Sequence, residues 1–226
     1  MKLYTLYTDS HKDLLLNHFL PSISQNTSPF DIVLRKIPQY CKSGEYMKIG
    51  WIETMIKKVE YHIESCLENL NKSFIYTDCD VQFLTNDNII DIMLNELEGY
   101  DIACQDDAHP FGDRTTYCAG FFICKSNTST VALFEKILQD MKRNSAWLHD
   151  QEALNMNLSM VKHKTLSHRF FTHAQITKEL WSGNNDDFVI PKNILVHHAN
   201  WTHGVDNKIK LLNMVKTQYE NFNHGT

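Results

Sequence analysis

The sequence predicts an α/β fold in which one sheet carries helices on both faces. Two observations predict it. Short β-rich runs alternate with segments of helical period along the chain, the pattern of a sheet wound with helices. No internal repeat, low-complexity tract or Pro/Gly/Ser-rich linker divides the 226 residues. One domain over 1–226 is therefore expected, large enough to bury roughly three quarters of the surface its unfolded chain exposes.

Each element has its own signal. KLYTLY at 2–7 is a β-rich run, and Thr8-Asp9-Ser10 after it is a capping signature for a helix over 11–19. FDIVLR at 30–35 predicts a second strand. Over 46–70 apolar residues recur at helical spacing (Ile52, Met55, Ile56, Val59, Ile63, Leu67, Leu70), and 69–73 breaks that helix. FIYT at 74–77 reads as a buried strand ending at Asp78. A helix over 88–97, strands at 100–104 and 120–124, and a helix from a cap near 126–129 to about 141 follow. A short helix begins near His149, a strand lies at 193–197, and a last helix runs over 206–219.

Bulk properties exclude several functions. A net charge of −5 argues against a nucleic-acid partner, whose footprint is a basic patch. The six cysteines form no C-x-x-C pair, which sets aside a zinc knuckle and leaves reduced thiols as the expectation. The first nine residues are interrupted by polar ones, unlike a signal peptide or anchor. No stretch approaches the ~18 apolar residues of a membrane span. A cytoplasmic protein of bacterial or viral origin is the expectation.

The informative stretch is FIYTDCDVQFL, 74–84, where a buried strand ends in Asp78 and Asp80. In open α/β sheets ligands bind beyond the carboxyl ends of strands. Two carboxylates this close repel each other, and burial raises the cost. A divalent cation removes both problems, and hard oxygen ligands suit Mg²⁺ or Mn²⁺. On an extended segment the pair points to opposite sides, so convergence on one ion needs a turn directly after the strand. The competing reading is that the two aspartates merely open a turn. Haloacid-dehalogenase-type phosphatases also carry D-x-D after a first strand, but they need Thr or Val where Gln82 stands.

A second stretch, VHHANWTHGVDNKIKLL at 196–212, combines with YTDCDVQFL, CAGFFICKSN (118–127) and HDQEALN (149–155). In this order the four blocks resemble the nucleotide-diphospho-sugar transferase family, D-x-D glycosyltransferases of the GT-A fold. The resemblance implies a Rossmann-like mixed sheet flanked by helices. It implies transfer of a sugar, first of all from a UDP-sugar, to the hydroxyl of a glycan or other acceptor. It also implies Mn²⁺ or Mg²⁺ held by Asp78, Asp80 and His198, with Asp78 shared with the nucleotide ribose. His197 competes with His198, and the spacing to Asn200 favours His198. The imidazole favours Mn²⁺.

Further roles follow from the same resemblance. Tyr7 and Thr8 stand at the base-binding corner, Gly120 permits close backbone approach to the donor, and Gly204 and Lys208 close the site on the diphosphate side. Asp150 is the candidate catalytic carboxylate, with Gln151 beside it for sugar hydroxyls. A basic residue on the helix before D-x-D often approaches the donor; Lys57 and Lys58 both qualify and the sequence does not choose. Asp107 and Arg114 are polar loop residues able to meet sugar hydroxyls or to be simply solvated. The sequence departs from the family at Cys118-Ala119, where Asn or Ser more often precedes the glycine. A nucleotide-sugar-binding protein without turnover, a metal-dependent hydrolase and an α/β interaction domain remain as alternatives.

Overall fold

The computed structural model describes residues 1–25, 30–85, 87–108, 115–177, 179–184 and 187–224. Its strands are β1 (Lys2–Tyr7), β2 (Asp31–Lys36), β3 (Ser73–Thr77), β4 (Val81–Phe83), β5 (Ile102–Asp106), β6 (Tyr117–Lys125), β7 (His163–Thr165), β8 (Phe170–Thr172) and β9 (Val196–His198). Six form a mixed sheet in the order β2-β1-β3-β6-β5-β7, and the other three form a small sheet, β4-β9-β8. β1 lies parallel to both β2 and β3, whereas β6 runs antiparallel to β3 and β5. Because β2 and β3 leave β1 in opposite directions, the sheet has its switch point there, and a crevice opens beyond the carboxyl ends of β1 and β3.

The helices are α1 (Lys12–Leu14), α2 (Leu20–Ser24), α3 (Trp51–Glu68), α4 (Ile89–Leu97), α5 (Thr128–Arg143), α6 (Asp150–Asn157), α7 (Ala174–Thr177) and α8 (Val205–His224). A π-helical stretch, Leu15–Phe19, joins α1 to α2, so the helical segment expected over 11–19 continues to Ser24. Alternate strand residues feed two cores, as the pleat requires. Leu3, Ile75, Phe121 and Ile123 pack with α4, α8 and the small sheet. Tyr4, Phe74, Tyr76 and Phe122 pack with α3, α5 and α6 on the other face. None of the helices of the described residues is long and apolar enough to cross a membrane.

Several expectations shift. α3 starts at Trp51, not at 46, because Gly50 adopts φ +86°, and a Cβ there would meet the Tyr40 carbonyl oxygen at 2.1 Å. The buried face of α3 also differs from the apolar stripe read from the sequence. Leu67 and Leu70 are exposed, while Lys58, His62 and Ser65 lie inside. The strand expected at 193–197 is only Val196–His198, and β4, β7 and β8 carried no separate signal. α5 begins one residue after Asn127, whose side chain accepts from the Ser129 and Thr130 amides, while the Asn127 amide donates to Thr130 Oγ1 at 2.9 Å. All six cysteines are buried and free.

Candidate active site

The site grows out of the end of β3. The Asp78 amide donates to the Gly120 carbonyl at 2.7 Å, extending the β3–β6 ladder one residue past the strand. The chain then turns at Cys79-Asp80 and enters β4. β4 pairs antiparallel with β9, Val81 opposite His198 and Gln82 opposite His197. That register carries Asp80 to the His198 ring, with Nε2 at 3.2 Å from Asp80 Oδ1. His198 Nδ1 faces Gln105 Oε1 at 3.0 Å, which holds the ring and leaves Nε2 turned to the carboxylate. His197, one residue away, points to the opposite face, buried against Phe171 with ring centroids 5.6 Å apart.

Two lysines complete the charge pattern. Lys208, in the first turn of α8, is paired with Asp80 Oδ2. Lys58 reaches across from α3, with its ammonium 2.9 Å from Asp78 Oδ2 and 3.0 Å from Asp150 Oδ2. Lys57 turns outward to Glu60 at 2.8 Å, so the structure selects Lys58 as the lysine on the cleft. Burial opposes the charge on Lys58, but Asp150 and Asp78 overcome it and hold the ammonium above its ordinary pKa. Burial likewise works against Asp80 and Asp150, yet Lys208 with His198, and Lys58 with His149, keep both carboxyls below the usual range. Asp78 ends above its ordinary value, because burial outweighs Lys58 and the charge of Asp80 adds to it.

Asp78, Asp80 and His198 each offer a ligand atom, and these atoms lie within 4.8 Å of one another. Two carboxylates and an imidazole make a set that could hold a divalent cation. Gly120 keeps the spot open, since a Cβ there would stand 2.6 Å from both Asp78 Oδ2 and His198 Cε1.

Asp107 is not solvated. It is buried, and it accepts from Gln151 Nε2 at 2.6 Å, from Trp201 Nε1 at 2.8 Å and from Asn200. This carboxylate ties the end of β5 to the start of α6 and to the loop before α8, where Trp201 has φ +51° and Gly204 has φ +72°. Gln151 also accepts from the Ala119 amide at 3.3 Å, so both ends of its amide are engaged. Arg114 lies outside the described residues.

At the β1 end, Thr8 is buried and Tyr7 half-buried; Thr8 Oγ1 lies 3.1 Å from Ser10 Oγ and 3.3 Å from His11 Nδ1. Burial, with the Lys208 charge adding to it, pushes His11 down to about 4. Asp78, Asp80, His198, Asp150 and the donor-side residues Tyr7, Thr8, Gly120, Gln151, Gly204 and Lys208 line one cleft of about 560 Å³. Sequence reading missed Gln105, His11, Trp201 and the cleft-lining rings of Tyr46, Trp51 and His149. A helical wheel phased on Val59 and His62 could have picked Lys58; the others carry no periodic signal.

The model of the nucleotide-diphospho-sugar transferase family matches residues 17–212. No curated protein matches the chain. Among solved structures, the glycosyltransferase GlyE of Streptococcus pneumoniae TIGR4 is similar with a TM-score of 0.57 and 13% identity, over 99% of this chain and 63% of GlyE. The galactosyltransferase LgtC, in complex with donor and acceptor sugar analogues, is similar at TM-score 0.54 and 12% identity, over 88% of this chain and 86% of LgtC. A glycosyltransferase involved in glycosylation of the major capsid of PBCV-1 is similar at TM-score 0.63 and 7% identity, over 94% and 98% of the two chains. At these identities the likeness is one of fold, a GT-A fold. The chain spans less than two thirds of the length of GlyE.

Proposed function

Because the chain belongs to the nucleotide-diphospho-sugar transferase family, we propose that its cleft moves a sugar from a nucleotide diphosphate, first of all UDP, to an acceptor hydroxyl with the help of Mn²⁺ or Mg²⁺. One observation carries the reading: two carboxylates, an imidazole and two lysines converge in one cleft beyond the sheet's carboxyl ends. An acidic turn on a surface loop needs no such company. Asp78, Asp80 and His198 would hold the cation, which when bound supplies Lewis-acid neutralisation of the charge on the leaving diphosphate. Lys208 adds a point charge on the same side. Tyr7 and Thr8 face the nucleoside, and Gly120 lets the donor approach the β6 backbone.

In this reading Asp150 faces the sugar, and its pairing with Lys58 at 3.0 Å supports one of two roles over the other. A general base works best with a pKa near the operating pH. A carboxylate held by a buried ammonium is a poor proton acceptor, so Asp150 acts as a fixed negative charge beside the oxocarbenium-like centre. Gln151, fixed by Asp107 and Ala119, offers the sugar an oriented amide.

The test is thermal melting with UDP, GDP, ADP and CMP, each with and without Mn²⁺, followed by product analysis with and without an acceptor sugar. A ligand that binds only the folded chain raises its melting temperature. The reading expects one nucleoside diphosphate to give a Mn²⁺-dependent shift that Asp80→Ala abolishes. No shift with any nucleotide would overturn it. Free sugar as the sole product in the presence of many acceptors would favour hydrolysis instead.

A further inference from the structure

Past Asp150, three aromatic rings wall the cleft. Trp51 opens α3, Tyr46 lies on the loop before it, and His149 precedes α6. Tyr46 meets Trp51 with ring centroids 4.7 Å apart, Trp51 meets His149 at 5.4 Å and Tyr46 meets His149 at 5.9 Å, all edge to face. These rings belong to neither hydrophobic core. Tyr46 is 54% exposed, Trp51 is half-buried, and the His149 side chain, 12% exposed, backs them at the cleft wall. The Tyr46 ring, left open to water with Trp51 partly open beside it, marks a surface that a ligand covers. The wall is continuous with the reacting corner, since His149 Nδ1 lies 3.7 Å from Asp150 Oδ1. Carboxylates border it: Glu45 lines the cleft, and Glu152 Oε1 stands 3.7 Å from His149 Nε2.

Flat apolar rings edged by hydrogen-bond acceptors fit one ligand chemistry well. A pyranose presents a C–H face that packs on an aromatic ring, and a rim of hydroxyls that donate to carboxylates. We infer that Tyr46, Trp51 and His149 form the stacking wall of the acceptor subsite, and that the acceptor is a hexopyranose, the end of a glycan, and not a serine or threonine hydroxyl. This inference rests on the transferase reading above. A sugar stacked there has its hydroxyl rim beside Asp150, where the donor's anomeric carbon is expected. The new glycosidic bond forms between that hydroxyl oxygen and the anomeric carbon, the bond to the diphosphate breaks, and the hydroxyl proton leaves with the diphosphate or to water.

The experiment compares the full chain with Trp51→Ala, Trp51→Phe and Tyr46→Ala. Methyl glycosides of glucose, galactose, mannose and N-acetylglucosamine serve as acceptor probes, beside a serine/threonine peptide. The Mn²⁺-dependent melting shift with UDP reports the fold and the donor side in each variant. Transfer to at least one glycoside is expected. Its acceptor KM should rise about tenfold in Trp51→Ala, the loss of one aromatic packing contact, with part regained in Trp51→Phe and the nucleotide shift unchanged in both. Three results would overturn the inference: an unchanged acceptor KM in every variant, a nucleotide shift lost with Trp51 while acceptor KM holds, or transfer to the peptide and to no glycoside. If the wild-type chain gives no nucleotide shift at all, the transferase reading itself has failed and the inference falls with it.

Discussion

A lysine in an amphipathic helix belongs at the rim of the buried face, yet Lys58 lies inside it because two carboxylates reach its ammonium. Removing one partner from a buried ion pair leaves charge uncompensated and typically costs about 3–5 kcal/mol. Lys58→Met should therefore lose stability of that order in urea melts without metal, and less with Mn²⁺ present if, as proposed, the cation takes over Asp78. Asp107 makes a second prediction. Burial pushes its carboxyl up to about 6 from the ordinary 3.8, although Trp201 and Gln151 pull the other way. The folded chain holds that proton more tightly than the unfolded one, so this contribution to stability is full below about pH 4 and lost as the pH rises through about 6. Asparagine does not titrate. The melting temperature of wild type minus that of Asp107→Asn should fall between about pH 4 and 6 and run level from about pH 7. Neither residue was legible alone: Lys57 and Lys58 differ only in the phase of a helix, and Asp107 is hidden by partners from two distant segments.

At the scale of elements, long ones were readable and short ones were not. α3 and α5 announce themselves by period, and α5 also by its cap near 126–129, whereas the Gly50 start of α3 went unread. The strands β4, β7, β8 and β9 are three residues each, too short for alternation to register, and tertiary pairing alone defines them. The expected 193–197 strand stops one residue short of His198, and in a strand one residue is the difference between two faces. Pairing with β4 settles which histidine meets Asp80, and only the H-x-N spacing foresaw it. The Asn127 cap gives a local test. Asn127→Ala removes the one oxygen that accepts from two amides at the start of α5, and loss of such a cap costs about 1 kcal/mol. The urea midpoint should drop with an unchanged m-value, because the surface exposed on unfolding stays the same.

Over the whole molecule, the large sheet contributes Asp78 and Gly120 while the small sheet contributes His198 through its pairing with the Asp80 turn. The alternation of strands and helices foretold the large sheet; the small one was invisible, since its partners come from three separated segments. The two aspartates of the D-x-D stretch already have cations, Lys58 for Asp78 (shared with Asp150) and Lys208 for Asp80. EDTA should therefore leave the melting temperature unchanged. Mn²⁺ alone and UDP alone should each raise it little, and the two together should raise it by more than the sum. The reason is an exchange of partners. A lone metal ion meets two ammonium groups, and a lone diphosphate meets two carboxylates. With both present, Asp78 and Asp80 would hold the metal and Lys208 would turn to the phosphates, while Lys58 would stay with Asp150. Such coupling is reciprocal: the factor by which the ion tightens the nucleotide is the factor by which the nucleotide tightens the ion. Such a cleft would behave as an ion exchanger, loading metal and diphosphate as one neutralised unit and, once the sugar had left, letting them go as one.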